Sequence, residues 1–211
     1  PEEIYDELIA SIKRNSKVCH YLDMPIQHAD DTILKRMGRR TDRADLERII
    51  KKLRTEIPDI ALRTTLICGF PGETAEQHET LMQFVNDMEF ERLGAFTYSP
   101  EEGTPAAEFP DQVPEDVRQH RADILMEQQQ LIVEEKNNAR LGQVCTAVIE
   151  GYDRWAECWF GRTAADAPDI DGKVFIRSET PLHIGDYVTV RLDEVLDYDF
   201  VGEVVTDESA Q

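Results

Sequence analysis

Residues 63–74 read Arg-Thr-Thr-Leu-Ile-Cys-Gly-Phe-Pro-Gly-Glu-Thr, and the architecture of the first part of the chain is predicted from this segment outward. It begins in an apolar run typical of a buried strand and ends in a turn that contains two glycines. Gly69 and Gly72 allow the backbone to turn tightly and to approach a ligand closely. Ile67 offers an apolar surface for a flat ring, and Arg63 can pair with a carboxylate. Taken alone, the stretch is explained more simply by a tight strand-to-helix turn that binds nothing.

The segments around this turn alternate between helical and strand-like patterns. Apolar residues at helical spacing predict helices at residues 2–14, 42–56, after Asp30 and after Thr74. Near-continuous apolar runs predict buried parallel strands at residues 18–24, 60–70 and 93–98. This order predicts the C-terminal part of an α/β barrel, a fold that places its active site at the carboxyl ends of the strands. Half a barrel leaves an open edge, so we expect an N-terminal part to be absent.

Beyond residue 114 the pattern changes to one long helix and then to short strands. The helix is predicted over residues 114–141, with a buried stripe of Val117, Ile124, Leu125, Leu131 and Ile132. After Gly142, short alternating runs predict a small, all-β, OB-like barrel with strands at 144–148, 173–176, 187–192 and 200–205. We therefore expect two domains, residues 1–141 with the long linking helix 114–141 and residues 142–211.

The composition restricts the classes of function. Hydrophobic residues make up 41% of the 211 residues, and no apolar run approaches the roughly 18 residues of a membrane span. With 23 basic and 43 acidic residues the net charge is −20, which argues against broad binding of nucleic acid and favours basic partners. The four cysteines lack C-x-x-C spacing, so we expect no metal site in this chain. Cys19 and Cys68 lie in apolar runs, which predicts buried, reduced thiols and a cytoplasmic location.

Three blocks together resemble one enzyme family. The first block is Tyr-Leu-Asp-Met-Pro-Ile-Gln-His at 21–28, followed by Ile-Leu-Lys-x-Met-x-Arg at 33–39. The second is the glycine turn at 63–74, and the third is Phe-Thr-Tyr-Ser-Pro-Glu-Glu-Gly-Thr at 96–104. In spelling, order and spacing they resemble the radical S-adenosylmethionine (SAM) methylthiotransferases, and the tail is similar to a TRAM domain. Asp23 and His28 match the branch that methylthiolates the β-carbon of an aspartate in small-subunit ribosomal protein twelve, rather than the branch that modifies transfer RNA.

The resemblance implies SAM and two [4Fe–4S] clusters as cofactors. The family's C-x-x-x-C-x-x-C motif is missing from this sequence, so we expect the cluster ligands upstream of Pro1 and expect the chain to be inactive alone. No catalytic residue is assigned within the chain. Glu73 falls one position late in the radical SAM pattern Gly-x-Ile-x-Gly-x-x-Glu, and its role stays open. By the same resemblance, the SAM-binding residues are Gln27, His28, Arg63, Ile67, Gly69 and Tyr98.

The tail carries the expectations about partners. The local resemblance over 161–172 suggests Arg162, Asp166 and Asp169 as substrate contacts. Residues 142–211 hold 15 acidic and 5 basic residues, a net charge of −10, which favours a basic ribosomal small-subunit protein over nucleic acid. A reductant of unknown identity is also implied. Two alternatives remain open, a transfer-RNA adenosine methylthiotransferase and a non-catalytic adaptor that binds the ribosome.

Overall fold

The computed structural model describes residues 1–205 and divides into two compact units, Pro1–Ile132 and a second unit that begins at Val133. The predicted second domain ends in a segment, 206–211, that lies outside the described residues. The long helix α5 (Glu115–Asn138) continues across the division, and the boundary predicted at 141–142 stays a prediction. In the described part of the chain, no helix is long and apolar enough to cross a membrane.

The first unit is built on a three-stranded parallel sheet. Its strands lie side by side in chain order: β1 (Tyr21–Asp23), β2 (Ala61–Cys68) and β3 (Arg92–Thr97). The connecting helices are α1 (Asp6–Arg14), α2 (Asp31–Arg36), α3 (Arg43–Glu56) and α4 (Ala75–Met88), and a 3₁₀ helix at Pro105–Glu108 precedes α5. Parallel neighbours need such crossover connections. The predicted alternation of helix and strand is therefore confirmed.

Helices α2 and α4 begin after residues whose side chains are typical helix caps. The side chain of Asp30 accepts hydrogen bonds from the backbone N–H groups of Thr32 and Ile33 at the start of α2. Thr74 and Gln77 form a reciprocal capping box at the start of α4. Such caps satisfy N–H groups that the first helical turn leaves without partners, which fixes where each helix leaves its strand.

The two faces of the sheet have different surroundings. Along β2, every second side chain is buried beneath the helices, namely Leu62, Thr64, Leu66 and Cys68. The alternate side chains are half-exposed, namely Arg63, Thr65 and Ile67. On β3, Phe96 lies beside Ile67 in register and is 58% exposed. Because successive strand residues point to opposite faces, the helices cover one face and leave the other open.

Two burial predictions are wrong. Cys19 is exposed because β1 begins only at Tyr21, so the apolar run before it is not part of the sheet. Leu131 is 68% exposed because it lies six residues beyond Leu125, which places it on another face of α5. The core-facing position is instead taken by Gln129, which is fully buried and donates its amide N–H to a backbone carbonyl. A polar residue can be buried in this way when it is hydrogen-bonded.

A buried carboxylate fixes the turn between β2 and α4. Glu73 is 4% exposed, and its Oε2 accepts hydrogen bonds from the backbone N–H groups of Gly69 at 2.6 Å and Phe70 at 3.3 Å. Its Oε1 accepts from Nη1 of Arg121 on α5 at 3.0 Å, and the same guanidinium donates to the Glu73 carbonyl at 2.9 Å. Glu73 therefore ties the glycine turn to α5.

Two imidazoles complete the surroundings of this carboxylate. Nδ1 of His78 lies 3.4 Å from Glu73 Oε1, and Nε2 of His28 lies 3.7 Å from Glu73 Oε2. Burial by itself raises the pKa of Glu73, but the two imidazoles and the Arg121 guanidinium outweigh it and hold the pKa at about 2. The carboxylate is thus charged, buried and paired, the combination that makes loss of one partner costly.

Gly69 is required by packing as well as by backbone geometry. Its φ of 74° lies in the left-handed region, and a Cβ placed there would overlap the aliphatic part of Arg118 on α5. Arg118 in turn donates a hydrogen bond from Nη1 to the carbonyl of Tyr98. The glycine therefore lets α5 approach the end of β2, a role that requires no ligand.

The second unit contains a closed barrel of five strands, which confirms the predicted small all-β barrel. Its strands are β4 (Val144–Asp153), β5 (Cys158–Thr163), β6 (Val174–Arg177), β7 (Tyr187–Leu196) and β8 (Asp199–Val204), in the order β4-β5-β6-β8-β7. β4 also pairs with β7, so the barrel leaves no open edge. Its interior is filled by apolar side chains that include Ile149, Val174, Ile176, Leu192 and Phe200.

One barrel strand, β5, is missed by the sequence patterns. Gly161 and Arg162 interrupt its apolar alternation, so the run does not look like a strand. The structure explains the glycine, because a Cβ at Gly161 would overlap the carbonyl oxygen of Val148 on the paired strand β4. Glycine in a strand often marks such a close approach between backbones.

Replacing Glu73 by Gln should lower the free energy of unfolding of the first unit by about 3 kcal/mol at pH 7, the equivalent of the fall in its pKa from 4.5 to about 2. A lowered folded-state pKa stabilises the fold fully above pH 4.5, and this contribution is lost as the pH falls towards 2. The difference between wild type and variant should therefore shrink over that interval. Urea unfolding followed by circular dichroism at several pH values measures it.

The matched control is Glu79→Gln, which removes an exposed carboxylate from helix α4, directly after the turn that holds Glu73. Both tryptophans, Trp155 and Trp159, lie in the second unit, so their fluorescence reports the unfolding of that unit. The urea midpoint of this fluorescence transition should be unchanged in both variants. A Glu73→Gln protein as stable as Glu79→Gln at pH 7 would contradict the structural role of Glu73.

Replacing Gly69 by Ala should destabilise the first unit by about 3 kcal/mol, more than Gly103→Ala, for which about 1 kcal/mol is expected. Both glycines have a positive φ, 74° and 81°, so both variants strain the backbone. Only the Cβ at position 69 meets Arg118, whereas nothing lies within 4 Å at position 103. Equal urea midpoints for the two variants would show that contact with α5 is not the reason for Gly69.

Candidate cofactor site

Gln27 lies at the carboxyl ends of β1 and β2, where open α/β sheets bind their ligands. Its backbone N–H donates to the carbonyl of Thr65 at 2.9 Å, and its carbonyl accepts from the N–H of Ile67 at 2.8 Å. Its φ is 74°, a left-handed conformation that is rare for a residue other than glycine. The amide oxygen is buried and has no hydrogen-bond partner among the described residues. The side chain of Gln27 is thus a held, unsatisfied polar group at the edge of the sheet.

A cavity of about 550 Å³ opens beside Gln27 and Ile67. Its volume lies within the usual range for small-molecule sites. Two of the six predicted SAM-binding residues line it. The complete lining consists of Gln27, Arg36, Met37, Gly38, Arg39, Ile67, Phe70, Thr104, Pro105, Ala106 and Phe109.

Arg63 lies on the open face of the sheet but outside the cavity lining. Its Nη1 donates to Oδ2 of Asp23 at 2.7 Å across the β1–β2 pair, and its side chain is 16% exposed. The carboxylate that pairs with Arg63 is therefore that of Asp23 and not that of a ligand. A ligand carboxylate at Arg63 would have to share the guanidinium with Asp23.

His28 is fully buried beside the glycine turn rather than on the cavity wall. Its Nδ1 accepts a hydrogen bond from the backbone N–H of Asp30 at 2.9 Å. In this arrangement the ring proton of the neutral imidazole lies on Nε2, the nitrogen that faces Glu73. His28 therefore packs against the carboxylate that holds the glycine turn.

Tyr98 is 8% exposed at the end of β3. Its ring packs edge-on against Phe70, a cavity residue, with 5.2 Å between the ring centroids. The hydroxyl group is buried and has no hydrogen-bond partner in the described part of the chain. The unsatisfied atoms of Tyr98 and Gln27 both suit a polar ligand, because buried polar groups are normally hydrogen-bonded. The residues present therefore fit a ligand such as SAM.

The cysteines do not fit an iron–sulfur cluster. Within residues 1–205, no three His, Cys, Asp or Glu side chains gather in a way that could hold a metal ion. Cys68 is buried as predicted, and burial raises the pKa of its thiol to about 12. Clusters are held by thiolates, and the described cysteines of this chain do not offer a set of them.

The predicted substrate contacts in the barrel have structural partners of their own. Arg162 donates from Nε to Glu150 at 2.7 Å. Asp166 is 7% exposed and accepts from the N–H and the hydroxyl of Thr163 at 3.1 and 2.6 Å, which closes the turn after β5. Asp169 is exposed, with a φ of 63°. Their contact with a substrate stays a prediction.

Nine of the eleven lining residues were not predicted as site residues from the sequence, among them Arg36, Arg39 and Phe109. Phe109 follows the 3₁₀ helix in a segment without periodicity, so no pattern marks it. Arg39 ends the family-like block Ile-Leu-Lys-x-Met-x-Arg, and this was the available signal.

Comparison with known proteins agrees with this architecture. Residues 1–85 match the model of the radical SAM superfamily, and residues 141–205 match that of the TRAM domain. Among solved structures, coproporphyrinogen III oxidase (HemN) from Escherichia coli, described as a radical SAM enzyme, matches 61% of this chain and 31% of its own with a TM-score of 0.51. At 20% identity this likeness concerns the fold alone. The predicted fold class, part of a radical SAM barrel followed by a TRAM barrel, is confirmed.

Curated relatives match almost the whole chain. "Ribosomal protein uS12 methylthiotransferase RimO" of Lachnoclostridium phytofermentans is 53% identical over 96% of this chain and 46% of its own length. The proteins of the same name from Acetivibrio thermocellus and Geobacter sulfurreducens are 48% and 47% identical over 99% and 98% of this chain, and 46% of each is covered. The chain thus spans about half the length of the curated relatives it matches. Over almost its whole length the chain is similar to one part of the RimO proteins, and its two domain matches are those of the radical SAM superfamily and the TRAM domain.

Proposed function

We propose that this chain forms part of an enzyme that methylthiolates the β-carbon of an aspartate in ribosomal protein uS12. The observation that carries the proposal is the 53% identity over 96% of the chain to a relative named for that activity. The position of the cavity supports it, because the cavity lies where a radical SAM fold binds its ligands, at the carboxyl ends of the strands.

The cavity and its neighbours provide groups that suit SAM, which supplies the methyl group and the radical chemistry when bound. Ile67 presents an apolar surface for the adenine ring, and the amide of Gln27 supplies a hydrogen bond. The hydroxyl of Tyr98 supplies a second one. Glu73 and Gly69 act indirectly, since they set the shape of the turn on which these groups depend.

The two [4Fe–4S] clusters of such an enzyme would need ligands outside this chain, because its described residues hold no suitable group. We therefore infer that the chain by itself does not carry out the reaction. A cytoplasmic location belongs to the same proposal, since it keeps the thiols reduced and gives access to ribosomal proteins.

The charge of the barrel supports a basic protein as the partner. Among its basic residues, Arg162, Arg177 and Arg191 are ion-paired within the barrel, and the ammonium group of Lys173 lies 4.7 Å from the ring centroid of Phe160. These cations already have partners, so few remain for phosphate groups, whereas 15 acidic residues stand against 5 basic ones over 142–211. The field therefore suits uS12 better than transfer RNA.

The direct test uses an enzyme that contains this sequence with its clusters reconstituted, supplied with SAM, a sulfur source and a reductant. We expect mass spectrometry to find a methylthio group on an aspartate of uS12 and none on transfer RNA. Modification of transfer RNA would instead support the sibling activity. Modification of neither, with retained binding to the small subunit, would support the adaptor.

A second prediction concerns salt. The affinity for uS12 should fall about tenfold between about 50 mM and about 500 mM salt, because screening removes attraction to the acidic barrel. The triple variant Glu157→Gln, Glu179→Gln, Glu194→Gln removes exposed charges from the barrel and should flatten this dependence. The control variant Glu3→Gln, Glu7→Gln, Glu79→Gln removes as many exposed charges from the first unit. Identical salt curves for the two variants would exclude steering by the barrel.

A further inference from the structure

Arg39 lies in the wall of the cavity, and its charge has no partner among residues 1–205. It is half-buried, and its guanidinium makes no hydrogen bond or ion pair with any described residue. The chain carries 43 acidic and 23 basic residues, so an intramolecular carboxylate partner would be easy to supply. A cavity-lining arginine whose guanidinium has no such partner among the described residues is suited to an external anion.

The backbone places Arg39 at the cavity through the way helix α2 ends. Gly38 has a φ of 74°, its N–H donates to the carbonyl of Lys35, and the N–H of Arg39 donates to the carbonyl of Leu34 at 2.9 Å. This pattern is the Schellman motif, which stops a helix with a left-handed residue. Because both N–H groups are bonded, the position of Arg39 is fixed before any ligand binds.

Arg36 places a second guanidinium in the same wall. Its Cζ lies 5.2 Å from the ring centroid of Phe109, so the ring holds the side chain in place. Its nearest acidic partner is Asp111, at 3.8 Å from Nη1. That distance is too long for a hydrogen bond, so Arg36 keeps donors for a ligand.

The rest of the lining limits the kind of anion. Ile67, Phe70, Met37 and Pro105 make the wall largely apolar, and the amide of Gln27 adds one unsatisfied polar group. Two planar guanidinium groups in such a setting match a planar carboxylate on a short apolar stem. The net charge of −20 disfavours a polyanion such as nucleic acid at the same place.

We propose that Arg39, assisted by Arg36, binds a carboxylate in this cavity. This inference rests on the proposed function, which supplies two sources of the carboxylate. They are the aspartate side chain of uS12 that is modified and the methionyl carboxylate of SAM. In either case the arginines would position a reacting molecule by pairing with its carboxylate. They would take no part in the making or breaking of bonds.

The first experiment needs no activity and uses this chain with a small probe. N-acetyl-L-aspartate amide is titrated into ¹⁵N-labelled protein while the Nε–Hε signal of Arg39 is followed. We expect a saturable shift that the neutral N-acetyl-L-asparagine amide does not produce. Arg39→Met should weaken binding of the aspartate probe about tenfold or more. The matched control Arg40→Met removes the adjacent exposed arginine, which does not line the cavity, and should leave binding unchanged.

The second experiment separates the two sources in the cluster-reconstituted enzyme that contains this sequence. If the carboxylate belongs to uS12, Arg39→Met should raise the Kd of uS12 about tenfold and leave that of SAM unchanged. If it belongs to SAM, the Kd of SAM should rise instead.

Equal behaviour of Arg39→Met and Arg40→Met with the aspartate probe, with uS12 and with SAM would overturn the proposal. Failure of the wild-type enzyme to bind uS12 would count against the proposed function. The probe titration and the SAM measurement would still decide whether Arg39 binds a carboxylate.

Discussion

The charge of Glu73, buried at the end of β2, is the interaction on which the first unit depends. Its two oxygens hold the N–H groups of Gly69 and Phe70 and the guanidinium of Arg121, and two imidazoles surround it. A buried charge is tolerated only when its partners replace the water that it has lost. The elements that supply these partners are therefore tied together: the segment after β1, the turn after β2, helix α4 and helix α5.

The cavity is a consequence of this arrangement. The turn held by Glu73 carries Phe70, and Phe70 in turn packs against Tyr98 from the end of β3. Gln27 is held between the backbones of Thr65 and Ile67, so its amide is presented at the edge of the sheet in a conformation that a loop alone would rarely keep. The groups available to a ligand are thus positioned by a scaffold of backbone hydrogen bonds and one buried charge. A site of this kind is set before its ligand arrives, which reduces the entropy lost on binding.

The barrel in the second unit uses its charges differently. Its basic residues are mostly engaged with neighbouring acids, and the remaining carboxylates leave a strongly negative surface. Such a surface affects the rate at which a partner is encountered more than it affects the free energy of unfolding, because exposed ion pairs contribute little to folding. The two units therefore contribute different things to the proposed reaction, a ligand cavity in one and an electrostatic field in the other.

The order of helices and strands in the first unit, the caps at Asp30 and Thr74, a small β-barrel and the resemblance to one enzyme family could be predicted from the sequence, because they follow from periodicity, cap chemistry and local spelling. Which polar side chains contact each other became known only from the folded structure. Arg63 was expected to face a ligand and pairs with Asp23, and Glu73, whose role was open, holds the glycine turn. The pairing of β5 with β4 and β6 and the position of Arg39 in the cavity wall were likewise not predicted. Each depends on contacts between residues far apart in the chain, which local patterns do not encode.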